Sequence, residues 1–189
     1  HTYFKPGERY QYSNTAYILL GLIISKVSNR ALDEFIETEI FTKAGMLNSK
    51  VNYEGKTNVL ERAYGHIIAN DKLVVKDQYW CSATIGDGGL YSSVNDLKKW
   101  LKFLVKSNEY KSMKVPNIAG NYNEYGLGIR IINVQGNEII YHSGSTIGTK
   151  TLLLFSEELD LCLIFLTNFN EANGTALKEV LVEYLLNKE

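Results

Sequence analysis

The sequence predicts an α+β fold in which a mostly helical part precedes an antiparallel β-sheet covered by a C-terminal helix. Apolar residues recur at helical spacing between 14 and 43 and again between 94 and 106. From residue 125 on, four apolar runs follow closely: "YGLGIRIINV", "EIIYHSG", "TKTLLLFS" and "LCLIFLTN". A parallel crossover needs about a dozen residues, and the connections Gln135-Gly136-Asn137 and 157–160 are far shorter, so these strands must pair antiparallel.

The elements follow in order. Residues 14–28 read as a helix, with Ile18, Leu19, Leu22, Ile23 and Val27 near helical spacing and Ser13 or Asn14 as the N-cap. A second helix is expected over about 31–43, closed by Gly45. Residues 46–62 read as loop, and "YGHIIANDKLVV" as a hairpin turning at Asn70-Asp71. A Gly-rich loop, "GDGGLYSS", leads to a helix over 94–106, capped by Ser93 and Asp96 and burying Leu97, Leu101 and Leu104 or Val105. Residues 107–124, with Pro116, read as a polar loop. The last helix, about 175–187, carries Leu177, Val180, Leu181, Tyr184 and Leu185 on one side. The expected division is residues 1–120, mostly helical with the small hairpin, and 121–189, the sheet with its helix, the two completing one unit.

Composition narrows the function. The 189 residues are 45% hydrophobic and 22% charged, in the globular range. Twenty basic against twenty-one acidic residues leave a net charge of −1, with no global pull on nucleic acid or an anionic membrane. The longest apolar stretches, "YILLGLII" and "LCLIFL", are too short to span a bilayer. No signal peptide is visible, although the chain opens on His1 rather than Met. Cys81 and Cys162 have no CxxC spacing. Cys162, inside an apolar run, reads as a small core residue, and the sequence does not decide whether the two pair. His1, His66 and His142 are scattered, and no metal-ligand spacing is present, so no metal and no cofactor are expected.

Two short stretches carry candidate chemistry. Tyr12-Ser13-Asn14 stands at a helix start. It reads either as an N-cap behind a packing tyrosine or as a tyrosine placed to move protons, which needs nearby cations to favour the phenolate. "YHSGST", 141–146, reads as a strand end that breaks at Gly144. It is either a polar turn or an edge that offers a backbone N–H to an oxyanion, with Gly144 admitting a substrate backbone. "GDGGLYSS" is neither a P-loop nor a dinucleotide fingerprint.

Taken in order, these pieces resemble the serine β-lactamase and penicillin-binding-protein family, on its class C, DD-peptidase and esterase side. "FKPGERYQYSNTAYILLGLIISKVSN" is similar to the family's stretch around Tyr-x-Asn. "FIETEIFTKAGMLNS" resembles the following helix and turn, with Lys43-Ala44 where Pro-Leu is usual. "GDGGLYSSVNDLKKWLKFL" resembles the Gly-Gly-Leu-x-Ser segment and its helix. "YGLGIRI" and "HSGSTIG" resemble the late strand and the third motif, where members carry Lys-Thr-Gly or His-x-Gly. The resemblance implies a partial β-lactamase/transpeptidase-like fold and a role for each matching residue. Tyr12 would be general base or proton shuttle, and Asn14 would hold the substrate's amide carbonyl. His142 would replace the motif lysine and set charge near the tyrosine and the substrate carboxylate. The Ser145 N–H would form half of an oxyanion hole, and Ser143 and Gly144 would line the substrate strand. The turn at Tyr12 and Asn14 would face His142 and Ser145 across a cleft.

One departure governs the expected activity. Family members acylate the serine of Ser-x-x-Lys, and no serine here has lysine three positions later. The resemblance therefore implies the C-terminal part of a serine hydrolase acting on β-lactams, D-Ala-D-Ala peptides or small esters, with the nucleophile upstream and this chain alone inactive. The alternative is an inactive binding or sensing module. The implied ligand is a β-lactam or a peptidoglycan-peptide-like small molecule, and the implied location is extracytoplasmic. A sheet edge or helix face left uncovered would invite self-association.

Overall fold

The computed structural model describes residues 3–52, 58–79, 84–115 and 125–187. Cys81, Pro116 and parts of the 46–62 and 107–124 loops lie outside them. The chain forms two compact units. One comprises His1–Gln11, Gly65–Lys76 and Ser107–Glu189, the other Tyr12–Tyr64 and Asp77–Lys106.

The second unit opens with α1 (Asn14–Ser28). The Ser13 hydroxyl accepts from the Ala16 N–H, which settles the cap on Ser13. α2 (Leu32–Ile36) continues into a π-helical stretch, Glu37–Thr42, where one regular helix was expected. Thr42 Oγ1 donates to the Glu37 carbonyl five residues back, a spacing that matches the widened turn. Gly45 ends the stretch at φ +73°. The 46–62 segment is not wholly loop: β1 (Lys50–Val51) pairs antiparallel with β4 (Leu90–Tyr91). α3 (Val94–Leu104) starts on Ser93, whose hydroxyl accepts from the Asp96 N–H. Leu101 and Leu104 are buried, while Leu97 and Val105 are half-buried. The unit's core is Phe41, Met46 and Val51, with Ile36, Ile40, Ile85 and Trp100 against it.

Asp96, fully buried, ties this unit together. Its carboxylate accepts from the Asn48 N–H (2.7 Å), the Ser49 hydroxyl (3.0 Å) and Lys99 Nζ (2.9 Å). Lys99 also donates to the Gly45 carbonyl at 2.7 Å. Burial alone would raise the carboxyl's pKa. Lys99, the Asn48 N–H and Ser49 outweigh it and hold the pKa below the usual carboxylate value.

The first unit contains the large sheet, ordered β5-β6-β7-β8 and antiparallel throughout: Arg130–Val134, Asn137–Thr146, Thr149–Ser156 and Leu161–Thr167. The β5–β6 turn places Gln135 and Gly136 at φ +52° and +84°, the left-handed pair that matches strand twist. α5 (Gly174–Leu186) covers one face, packing Leu181, Val182 and Leu185 on Val134, Ile139 and Leu154. Val180 and Tyr184, expected on that buried side, are 63% and 61% exposed, because α5's apolar residues wrap more than one face. A short helix absent from the sequence reading, α4 (Glu109–Met113), sets the buried Tyr110 ring 6.0 Å from Phe155. Phe155 alternates with Leu154 and so faces away from α5. Cys162 lies near the start of the outer strand β8 and is exposed, not core as expected.

The hairpin of β2 (His66–Ala69) and β3 (Lys72–Val75) turns at Asn70-Asp71 as expected. It joins the sheet unit through the His66 N–H, which reaches the carbonyls of Asn168 (2.9 Å) and Gly148 (3.2 Å).

Candidate active site

β6 does not end at Gly144. It runs on to Thr146 because Gly144, Ser145 and Thr146 pair with Thr151, Lys150 and Thr149 of β7. On its other flank the pairing stops at Arg130↔Tyr141. Among the described residues, no strand therefore pairs with His142–Thr146 on that side.

Register fixes what this open edge displays. A two-residue turn, Ile147-Gly148, makes Thr146↔Thr149 a hydrogen-bonded pair. The pairs alternate from there, so His142 and Gly144 bond to β7, and Ser143 and Ser145 direct their N–H and C=O outward. The Ser145 N–H thus points off the sheet edge, where it can donate to an oxyanion or an extended substrate. Gly144 has a reason internal to the sheet: a Cβ there would lie 2.4 Å from Thr151 Oγ1.

His142 is half-buried. Its Nδ1 lies 2.9 Å from the Ser143 carbonyl and its Nε2 3.2 Å from the Tyr125 hydroxyl. A carbonyl only accepts, so Nδ1 carries the proton and Nε2 accepts from Tyr125. Burial lowers the imidazole's pKa, the Ser143 carbonyl opposes that, and Arg130 lowers it further; the net shift is downward. His142 is therefore a neutral, fixed ring near pH 7.

A cation stands at this strand in Lys150. Directly opposite Ser145 on β7, it donates to Ser145 Oγ at 2.7 Å. The sequence reading passed over Lys150 and Tyr125. Lys150 had a signal, since a two-residue turn at Ile147-Gly148 dictates Ser145↔Lys150. Tyr125 had none, being joined to His142 only by tertiary packing.

Tyr12 and Asn14 lie in the other unit. Tyr12 precedes the cap residue Ser13 and is 49% exposed, and Asn14 is the first residue of α1. Two glycines of "GDGG" have packing duties: Gly86 sits at φ +109°, and a Cβ on it would lie 2.7 Å from the Tyr17 carbonyl of α1, while a Cβ on Gly89 would lie 2.7 Å from the Thr84 carbonyl. Beyond Gly21, which packs on Leu32, α1 exposes Leu19, Leu22, Ile23 and Val27, the last at 82%. Among the described residues no group of His, Cys, Asp and Glu is arranged to hold a metal, and no helix is long and apolar enough to cross a membrane.

The chain is 29% identical to penicillin-binding protein 4* of Bacillus subtilis, an alignment covering 89% of this chain and 42% of that protein. It is 24% identical to a D-aminopeptidase of Gluconobacter oxydans over 96% of this chain and 36% of that one. The octameric penicillin-binding-protein homologue of Pyrococcus abyssi superposes with a TM-score of 0.81 at 32% identity, covering 98% of this chain and 44% of that one. The chain thus spans less than half the length of these relatives. The β-lactamase family model matches residues 3–185, and the chain belongs to the β-lactamase family.

Proposed function

We propose that this chain is the C-terminal part of a serine hydrolase of β-lactamase type, acting through an acyl-serine on β-lactams, D-Ala-D-Ala peptides or small esters. The nucleophile would come from an upstream Ser-x-x-Lys segment. The observation that carries the reading is the open β6 edge, with the Ser145 N–H directed outward beside Ser143 and Gly144. In this reading the serine oxygen attacks the substrate carbonyl and its proton passes to Tyr12. The carbonyl oxygen takes its charge against the Ser145 N–H. Tyr12 then protonates the leaving amine or alkoxide, and water cleaves the acyl-serine. Asn14 holds the substrate's amide carbonyl, and the rest of the substrate lies along Ser143–Ser145 as an added strand. His142, neutral and fixed, shapes this edge without supplying charge.

The test is labelling of the gene product at its native length by a fluorophosphonate and a fluorescent penicillin. Labelling should vanish when the upstream serine is replaced by Ala, and Tyr12→Phe should slow acylation by about 100-fold or more. A folded protein that takes up neither probe would overturn the hydrolase reading.

A second reading rests on the same open β6 edge, which can hold an extended ligand by main-chain hydrogen bonds alone. In it, the fold serves as a binding or sensing module without turnover. Saturable, non-covalent binding of a β-lactam would support it.

A further inference from the structure

The stretch of chain that runs into Tyr12 has no ladder to hold it. Residues 9–13 belong to no helix or strand, and residues 5–9, 11 and 12 are exposed. Tyr10, among them, is half-buried. Its ring centre stands 5.1 Å from that of Tyr125, with 41° between the ring planes, a tilted aromatic pair. Tyr125 is a fixed platform. It is 8% exposed, bridges to Arg130, holds the Arg130 guanidinium 5.4 Å from its ring centre and meets the His142 ring edge to face at 6.1 Å. Its hydroxyl also donates to His142 Nε2. Tyr10 therefore rests on the buried pair that underlies the His142 end of the open edge.

Chain connectivity carries this anchor to Tyr12. Tyr10 and Gln11 are the last residues of one compact unit, and Tyr12 is the first of the other. Two residues of chain span at most about 7 Å, so Tyr12 cannot stray farther than that from the anchored Tyr10 backbone. On its other side stands Ser13, whose hydroxyl is fixed by the Ala16 N–H at 3.2 Å. Tyr12 thus sits between two fixings and is itself half exposed to solvent. A group that takes and returns a proton loses about 100-fold in rate when it is misplaced by about 1 Å.

We propose that Tyr10 is a positioning residue for Tyr12: its ring, seated on Tyr125, fixes the chain so that the Tyr12 phenol is presented in one place for proton transfer. This rests on the hydrolase reading given above and adds to it a residue that acts through Tyr12 and not on the substrate.

The test uses the gene product at its native length and follows acylation by the fluorescent penicillin in stopped flow. This separates the acylation rate constant from the half-saturating concentration. Tyr10→Ala should lower the rate constant about tenfold or more, and leave the half-saturating concentration and the final fraction of labelled protein unchanged. Damage to the fold would lower the labelled fraction instead. Tyr10→Phe, which keeps the ring, should restore the rate to within about threefold of the native value, and Tyr10→Leu, which keeps only the bulk, should not. In a Tyr12→Phe background, Tyr10→Ala should cost nothing further, because a residue that acts through Tyr12 has nothing left to act on. An unchanged rate constant in Tyr10→Ala, a loss confined to the labelled fraction, or a full further loss in the double variant would overturn the assignment and leave the hydrolase reading standing. A native protein that takes up neither the penicillin nor the fluorophosphonate removes the hydrolase reading and the assignment with it.

Discussion

The Tyr125 hydroxyl and Nε2 of His142 lie 3.2 Å apart, on a ring whose Nδ1 is 2.9 Å from the Ser143 carbonyl. Both bonds suit the neutral imidazole, and Tyr125 can donate to Nε2 only while that nitrogen is unprotonated. His142 should therefore titrate below the ordinary histidine value in an NMR pH series, and Tyr125→Phe should move its midpoint upward. The stability consequence has a definite sign. The native pKa is depressed, so the unfolded chain binds the proton more readily. The His142 contribution is intact above the unfolded value of about 6.5 and is lost as pH falls through the native one. Denaturant unfolding at a series of pH values should show this component in the native protein and not in His142→Gln.

The Asp96 clasp predicts a second component, lost only at lower pH than the first. The carboxylate has three partners and no exposure, and its native pKa lies below the unfolded value. Its contribution is present above the unfolded value of about 3.9 and disappears as pH falls through the native one. Asp96→Ala should cost about 1–3 kcal/mol at pH 7, because it removes the shared acceptor of the Asn48 N–H, the Ser49 hydroxyl and Lys99, of which Ser49 keeps Ser92 and Lys99 keeps the Gly45 carbonyl. Asp96→Asn should cost less, since an amide oxygen still accepts while the ion pair with Lys99 is lost. Urea titration of the three proteins measures both differences.

Much of this architecture is legible in the chain because its turns are chemically explicit. Gln135-Gly136 and Asn70-Asp71 adopt the left-handed pairs that tight hairpins need, and Ser13 and Ser93 both cap helices. What is not legible depends on partners distant in sequence. β1 and β4 are two residues each and exist only because Lys50 and Val51 pair with Tyr91 and Leu90, far along the chain. Gly144 reads as a strand break by propensity, yet its pairing with Thr151 carries β6 through it. For the site, the Tyr12-Ser13-Asn14 and His142–Ser145 motifs stand out by resemblance alone. The neutral state of His142 and the ammonium at Ser145 emerge only once Tyr125 and Lys150 are in place.

The Gly144 contact with Thr151 yields a double-mutant test. Gly144→Ala places a methyl 2.4 Å from Thr151 Oγ1, so strand or side chain must shift, at a cost of about 1–3 kcal/mol. Thr151→Ala removes the obstacle. The cost of Gly144→Ala should therefore fall substantially in the Thr151→Ala background, a coupling of about 1 kcal/mol or more in a cycle read by thermal or urea unfolding. Additive costs would mean that Gly144 is not constrained by this cross-strand contact.

The exposed stripe of α1 predicts how the 189-residue chain behaves by itself. Leu19, Leu22, Ile23 and Val27 are 53%, 61%, 56% and 82% exposed, and they stand three, four and eight residues after the first, one face of the helix. Apolar surface that contiguous is driven to find cover. At micromolar concentration the chain should sediment as species heavier than its 21.4 kDa and bind a hydrophobic dye. Leu22→Glu with Val27→Glu should shift association to roughly tenfold higher concentration while leaving the melting temperature nearly unchanged, since neither side chain is buried. A native chain that remains monomeric across a hundredfold concentration range would remove this face as the site of association. An associating chain that ignores both glutamates would move the contact elsewhere, with the apolar residues Leu73 and Val75 of the β2–β3 hairpin, 61% and 64% exposed, as the next surface to alter.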